Sequence, residues 1–367
     1  MVEKNNLSLE QNLVILTTRL TMNSEIESEV KKIIASKTFN WFEFFKLTIY
    51  HRSALLCWDN IKKINPDLKL PEYLNDILQY TYLCNTERNQ LLQQEIKNVV
   101  EHLKNNNITC IPVKGAVLIP KMYKDLGIRH SADADFLVKF SDVNKLKETL
   151  NSYGYIQGKY DKLGKKIIPM TRVEHIKWKM VSNLFPYVKM CDSKVLLNYE
   201  LDFRYALDDT LAKDSINEII DQSIENNYVE PAHYLIHLCA HFFNEAKHTA
   251  AIIDSTDMNL IKLCDIREYV IQFMNEKDLV KVINFAKKYC LEKQLYYTMF
   301  FLSAVYDDGY ENKVMDNLDI HDDTFLYAYG RTALQDEASF KKNFWDRIFS
   351  CNNKDELSED NALFTDI

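Results

Sequence analysis

Residues 113–138 read VKGAVLIPKMYKDLGIRHSADADFLV. An apolar run ends at Lys114-Gly115, a stretch at helical spacing follows, and Asp133 and Asp135 then stand one residue apart before the apolar Phe136-Leu137-Val138. Residues two apart on a strand face the same side, so the two carboxylates project together, about 6.5–7 Å apart at the backbone. Two ionised carboxylates so placed repel unless a cation lies between them, and hard oxygen donors of this kind suit Mg²⁺. Burying unpaired charge is costly, and a metal or an arginine offsets that cost. The plainer alternatives are two solvated aspartates at a strand edge, or a pairing with Arg129. The setting favours a site. Lys-Gly between a strand and a helix turns backbone N–H groups toward the same end of the sheet. Gly115 permits close approach of a phosphate, and Lys114 and Arg129 can neutralise its charge.

Around this stretch the 367-residue chain reads as helical on both sides. Apolar residues recur at three- and four-residue spacing in NLVILTTRL, EVKKIIASK, WFEFFKLTIYHRSALLCWDNIKKI and TERNQLLQQEIKNVVEHLKNN, with the two prolines of INPDLKLPEYL as a break. ITCIPV is short, apolar and β-leaning. ADADFLVKF reads as a strand, and SDVNKLKETLNSYG as a helix with Ser141 as N-cap and Gly154 as its stop. YIQGKY, KKIIPM, HIKWKMV, YVKMC and KVLLNYELDF read as antiparallel strands, with Asp192-Ser193 at a turn. From about residue 206 the helical period returns, and the acidic tail from Asn352 reads as loose. The expected fold is α+β: a small mixed-sheet core over residues 85–205, between an N-terminal helical region over 1–84 and a C-terminal helical domain over 206–367.

Composition narrows the class of function. A hydrophobic fraction of 47% supplies a core, and the net charge of −8 argues against general nucleic-acid binding through a basic surface. The 8 cysteines are scattered without a CxxC pair, which points to free thiols in a reducing compartment. The N-terminus lacks the basic start and apolar core of a signal peptide, and no apolar run reaches the length of a membrane span. The expectation is a cytoplasmic protein with no membrane partner.

The run PVKGAVLIPKMYKDLGIRHSADADFLV, with SDVNKLKETLNSYGY after it, resembles a family of nucleotidyltransferases within the DNA-polymerase-β-like superfamily. That family carries Lys-Gly, a Tyr-x-x-x-Gly-x-Arg segment, Asp-x-Asp-x-Leu-Val and a helix ending in Gly-Tyr. Lys114, Gly115, Tyr123, Gly127, Arg129, Asp133, Asp135, Leu137, Val138, Gly154 and Tyr155 match it position for position. The resemblance implies two Mg²⁺ ions on Asp133 and Asp135, with an NTP, expected to be ATP, as donor and a hydroxyl-bearing small molecule, peptide or protein as acceptor. It also implies a third acid on a later strand, in a Glu-Leu-His-Trp type segment. Here that segment is YELDFRY: Glu200-Leu201 match, and Asp202-Phe203 replace His-Trp. Glu200 is the expected third acid, and Asp202, on the same face, stands in reserve. The superfamily's usual Gly-Ser turn is Lys-Gly here, which leaves Lys114, or Ser131 from the neighbouring loop, to serve the phosphates. The alternative is a degenerate, non-catalytic nucleotide-binding or toxin–antitoxin-type interaction module.

Two further groups complete the reading. His233, His237 and His241 form one stripe of a helix, read as structural or pocket-lining rather than metal-binding, with Asp265 downstream; the HExxH glutamate is lacking. Arg88 and Asn89 read as a solvated helix end, a phosphate or base contact being the alternative.

Overall fold

Leu92, Ile96, Val99 and Leu103 recur at i, i+4, i+7 and i+11, one stripe of an α-helix, and all four are buried. They belong to a 34-residue helix, Glu72–Asn105, whose stripe packs on a sheet through Phe136, Val138, Leu201 and Phe203. The computed structural model describes residues 7–178, 183–207, 213–226, 228–330 and 338–357. The chain divides into two compact units, Thr81–Tyr234 and Met1–Tyr80 with Leu235–Asp366.

The first unit holds six strands: β1 (Cys110–Val113), β2 (Ala134–Val138), β3 (Ile156–Asp161), β4 (Lys166–Pro169), β5 (Tyr187–Met190) and β6 (Asn198–Arg204). Their order is β1-β2-β6-β5-β3-β4. β2 and β6 run parallel and the other neighbours antiparallel, so the sheet is mixed and the protein α+β, as expected. Phe136 lies opposite Phe203 in the β2–β6 register, and their rings stack at 5.0 Å. Because side chains alternate, one face of β2 and β6 is apolar while Asp135 and Asp202 share the other. Behind the sheet, Glu95 on the long helix accepts from Tyr155 Oη at 2.9 Å and pairs with Lys189 Nζ of β5 at 2.6 Å, so its buried charge is compensated.

The helix Val143–Ser152 follows β2 and ends as expected at Gly154, whose φ of +90° is the left-handed conformation that glycine tolerates best. Three local expectations are corrected. Ser141 is not its cap: a 3₁₀ turn, Phe140–Asp142, leads in, and Asp142 takes the N-cap position without a side-chain bond. HIKWKMV is not a strand: His175–Trp178 lie in the helix Arg172–Trp178, and 179–181 fall outside the described residues. The cause is a reciprocal cap, Glu174 N donating to Thr171 Oγ1 at 3.2 Å and Thr171 N to Glu174 Oε2 at 2.9 Å. Nor is the start of the tail loose: Asn353 and Glu356 are buried, and Glu356 accepts from the backbone N–H of Lys341 at 2.6 Å and of Lys342 at 3.2 Å.

The second unit is mainly helical. Leu9–Thr17, Ser24–Ile34, Trp41–Tyr50 and Ala54–Ile64 come from the N-terminal part, and Leu260–Phe273, Glu276–Lys288 and Glu292–Val305 from the C-terminal part. The fully buried Glu268 ties the two parts together, accepting from Leu20 N at 2.9 Å, Thr21 N at 3.2 Å and Thr21 Oγ1 at 2.9 Å. Among the described residues no helix is long and apolar enough to cross a membrane.

Candidate active site

Strand register builds the site. Val113, the last residue of β1, lies opposite Asp135 on β2, so the next residue, Lys114, leaves the sheet beside that carboxylate. Lys114 turns through φ +50°, a conformation rare outside glycine and typical of functional turns. The chain thereby enters the helical turn Gly115–Leu118, and Lys114 Nζ forms an ion pair with Asp135 Oδ1. Tyr234 Oη donates to the Lys114 carbonyl at 3.2 Å, holding the turn from outside the sheet.

On the other side of β2, the parallel register puts Asp202 of β6 opposite Asp135. Asp133, Asp135 and Asp202 each bring a carboxylate oxygen to within 4.8 Å of the other two. Asp202 Oδ1 is buried and has no hydrogen-bond partner. Burial raises the Asp202 pKa well above the ordinary carboxylate range, Asp133 and Asp135 raise it further, and Lys114 opposes them. A buried acceptor without a donor, on a side chain that gathers with two more carboxylates, is costly alone and suited to a cation with oxygen ligands. The donor set therefore fits a divalent metal such as Mg²⁺.

Glu200 lies outside this trio. It sits two residues back on the same face of β6, where burial and then the charge of Asp133 raise its pKa, while Arg88 lowers it. Ser131 is buried and donates to the Asp133 carbonyl at 3.0 Å. Gly115 lies against it: a Cβ there would stand 2.4 Å from Ser131 Oγ, so the Lys-Gly turn and the loop carrying Asp133 touch only because this residue is glycine. Arg129 is half-buried, and its guanidinium donates to the His130 carbonyl. Lys114, Gly115, Ser131, Asp133, Asp135 and Asp202 thus come together at one end of the sheet.

Arg88 and Asn89 are not a solvated helix end. They lie inside the long helix, Asn89 is buried, and both donate to carbonyls of the loop that leads to Asp133. Asn85, one turn earlier, does the same to Gly127 O at 2.6 Å. The available signal was a polar stripe, Tyr82, Asn85, Arg88/Asn89 and Gln93, within an otherwise amphipathic helix. The histidine stripe lies on the helix Pro231–Lys247, with His233 and His237 buried and the rings of His237 and His241 stacked at 6.5 Å. His241 Nε2 is 3.0 Å from Glu245 Oε2. Among the described residues, these histidines join no cluster of three metal-capable side chains.

The sheet thus gathers three carboxylates beside a Lys-Gly turn. Residues 37–307, well over half of the chain, match the family model described as uncharacterised nucleotidyltransferase, and the chain belongs to that family. No curated protein and no solved structure matches it.

Proposed function

We propose that the protein is a polymerase-β-like nucleotidyltransferase that moves a nucleoside monophosphate from an NTP, ATP in the first instance, to a hydroxyl of a small molecule, peptide or protein. The observation that carries this reading is the trio Asp133, Asp135 and Asp202 with the partnerless buried Oδ1 of Asp202. These three would hold the Mg²⁺, which on binding neutralises the triphosphate and brings donor and acceptor oxygens into line. Lys114, the Gly115 backbone, Ser131 and Arg129 form the phosphate end. Lys114, paired with Asp135, is placed to exchange that carboxylate for a phosphate oxygen. The acceptor oxygen attacks the α-phosphorus, the bond to the β-phosphate oxygen breaks, and pyrophosphate leaves. The acceptor proton passes to a carboxylate, and Glu200, whose pKa is raised by burial and by Asp133, is the group for that task.

Lys-Gly in place of Gly-Ser supports a second reading, nucleotide binding without turnover. Both are tested by incubating the chain with each labelled NTP and Mg²⁺, following pyrophosphate release and the label on candidate acceptors. Wild type should release pyrophosphate, and the Asp133→Ala/Asp135→Ala chain should not. Equal behaviour of the two would sink the enzymatic reading, and binding without release in wild type would establish the second.

A further inference from the structure

The loop over residues 124–133 carries Asp133 into the site and contains no helix or strand of its own until β2 begins at Ala134. Irregular backbone of this length needs outside partners for its polar groups if it is to hold one conformation. Three side chains of the long helix supply them. Asn85 Nδ2 donates to Gly127 O at 2.6 Å, and Asn89 Nδ2 to Leu126 O at 2.7 Å and Arg129 O at 2.8 Å. Arg88 donates through Nε to Ser131 O at 3.1 Å and through a terminal nitrogen to Ala132 O at 3.0 Å. The guanidinium fork therefore grips the two carbonyls immediately before Asp133.

We infer that Asn85, Arg88 and Asn89 are positioning residues that set where the Asp133 carboxylate stands relative to Asp135 and Asp202. This rests on the metal-site reading above. The helix carrying the clamp is itself fixed to the sheet by Leu92, Ile96, Val99 and Leu103, so helix, loop and acidic strands share one rigid reference. The clamp also governs the phosphate end, because Ser131, whose carbonyl Arg88 holds, packs against Gly115. Arg88 has a second effect, since its charge acts on both Asp133 and Glu200. Lysine at this position keeps the charge but cannot reproduce a planar fork on two successive carbonyls.

The test is calorimetric titration of the full chain with Mn²⁺, using wild type, Arg88→Lys, Asn89→Leu, Gln94→Ala and Asp133→Ala/Asp135→Ala. Circular dichroism and melting temperature are recorded for each. Arg88→Lys and Asn89→Leu should bind Mn²⁺ about 10–100-fold more weakly while remaining folded, as for other groups that orient metal ligands. Gln94, exposed on the same helix, donates to the half-buried Asn98 at 3.0 Å and touches none of the loop carbonyls named above, and Gln94→Ala should bind as wild type does. If Asn89→Leu fails to fold, the half-exposed Arg88→Lys carries the test. Unchanged affinity in the folded variants, or a loss that appears only where the melting temperature also falls, overturns the positioning role alone. A wild-type chain that binds no Mn²⁺, or binds it as the double aspartate variant does, overturns the metal site itself and this role with it.

Discussion

Asp202→Asn should make the metal-free protein more stable and the Mg²⁺-loaded protein less so. Two unit charges 4.8 Å apart, the limit within which the three carboxylate oxygens lie, repel by about 3.5 kcal/mol at an effective dielectric constant of 20. Asp202 faces two such neighbours, and Lys114 offsets part of that cost. Replacing the carboxylate by its amide isostere removes the repulsion and supplies an N–H₂ donor toward Asp133 and Asp135. The net gain without metal should be about 1–2 kcal/mol, within the usual range of a single substitution and opposite to its usual sign. With metal the order reverses. Wild type gains about 2.7 kcal/mol when Mg²⁺ is a hundredfold above its dissociation constant, and the variant, having lost one ligand charge, gains far less. The assay is urea unfolding of both chains in EDTA and in excess Mg²⁺, giving four midpoints. An Asp202→Asn chain less stable than wild type in EDTA, or one with the full Mg²⁺ gain, would refute the reasoning.

Gly127→Ala should cost about 1–3 kcal/mol, the usual price of overpacking. Its Cβ would stand 2.1 Å from the Tyr82 ring, which cannot swing aside without losing its bond to Asp125 at 3.0 Å. Tyr82→Leu in the same chain should recover part of that loss in thermal melting, whereas simple additivity of the two substitutions would contradict the clash. In the helical unit, burial lowers the His51 pKa to about 3, with Leu260 N donating to its Nδ1 at 3.3 Å. Below about pH 6.5 the unfolded chain takes up a proton that the folded chain refuses. The stability tied to neutral His51 is therefore complete above about pH 6.5 and is lost, by about 1.4 kcal/mol per pH unit, as pH falls toward the folded value. His51→Gln should show a flatter decline in urea midpoint between about pH 6.5 and 4.5 than wild type; parallel profiles would exclude His51 as a cause of acid instability.

Much of the fold was legible because its signals are local. The period of Leu92, Ile96, Val99 and Leu103 marks the helix, Gly154 marks a helix stop, and the two-residue spacing of Asp133 and Asp135 places them together. The helix at Arg172–Trp178 was also written locally, in the Thr-x-x-Glu of Thr171 and Glu174, but the apolar residues of HIKWKMV mask it. Asn85, Arg88 and Asn89 were harder to read: polar residues on a helix usually face water, and these face a loop some forty positions away.

The parts can be read locally: a helical frame, a strand–turn–helix–strand unit, a Lys-Gly turn, and acids at 133, 135, 200 and 202. How they meet is a matter of long-range packing. Asp202 stands opposite Asp135 because β6 joins β2 in parallel at one particular register, and shifting that register by one residue would send its carboxylate to the apolar face. Lys114 reaches Asp135 because β1 ends opposite it. Pairing partner and register are non-local choices, made by burial of Phe136 against Phe203 and by the long helix behind them, and no short stretch of sequence contains them.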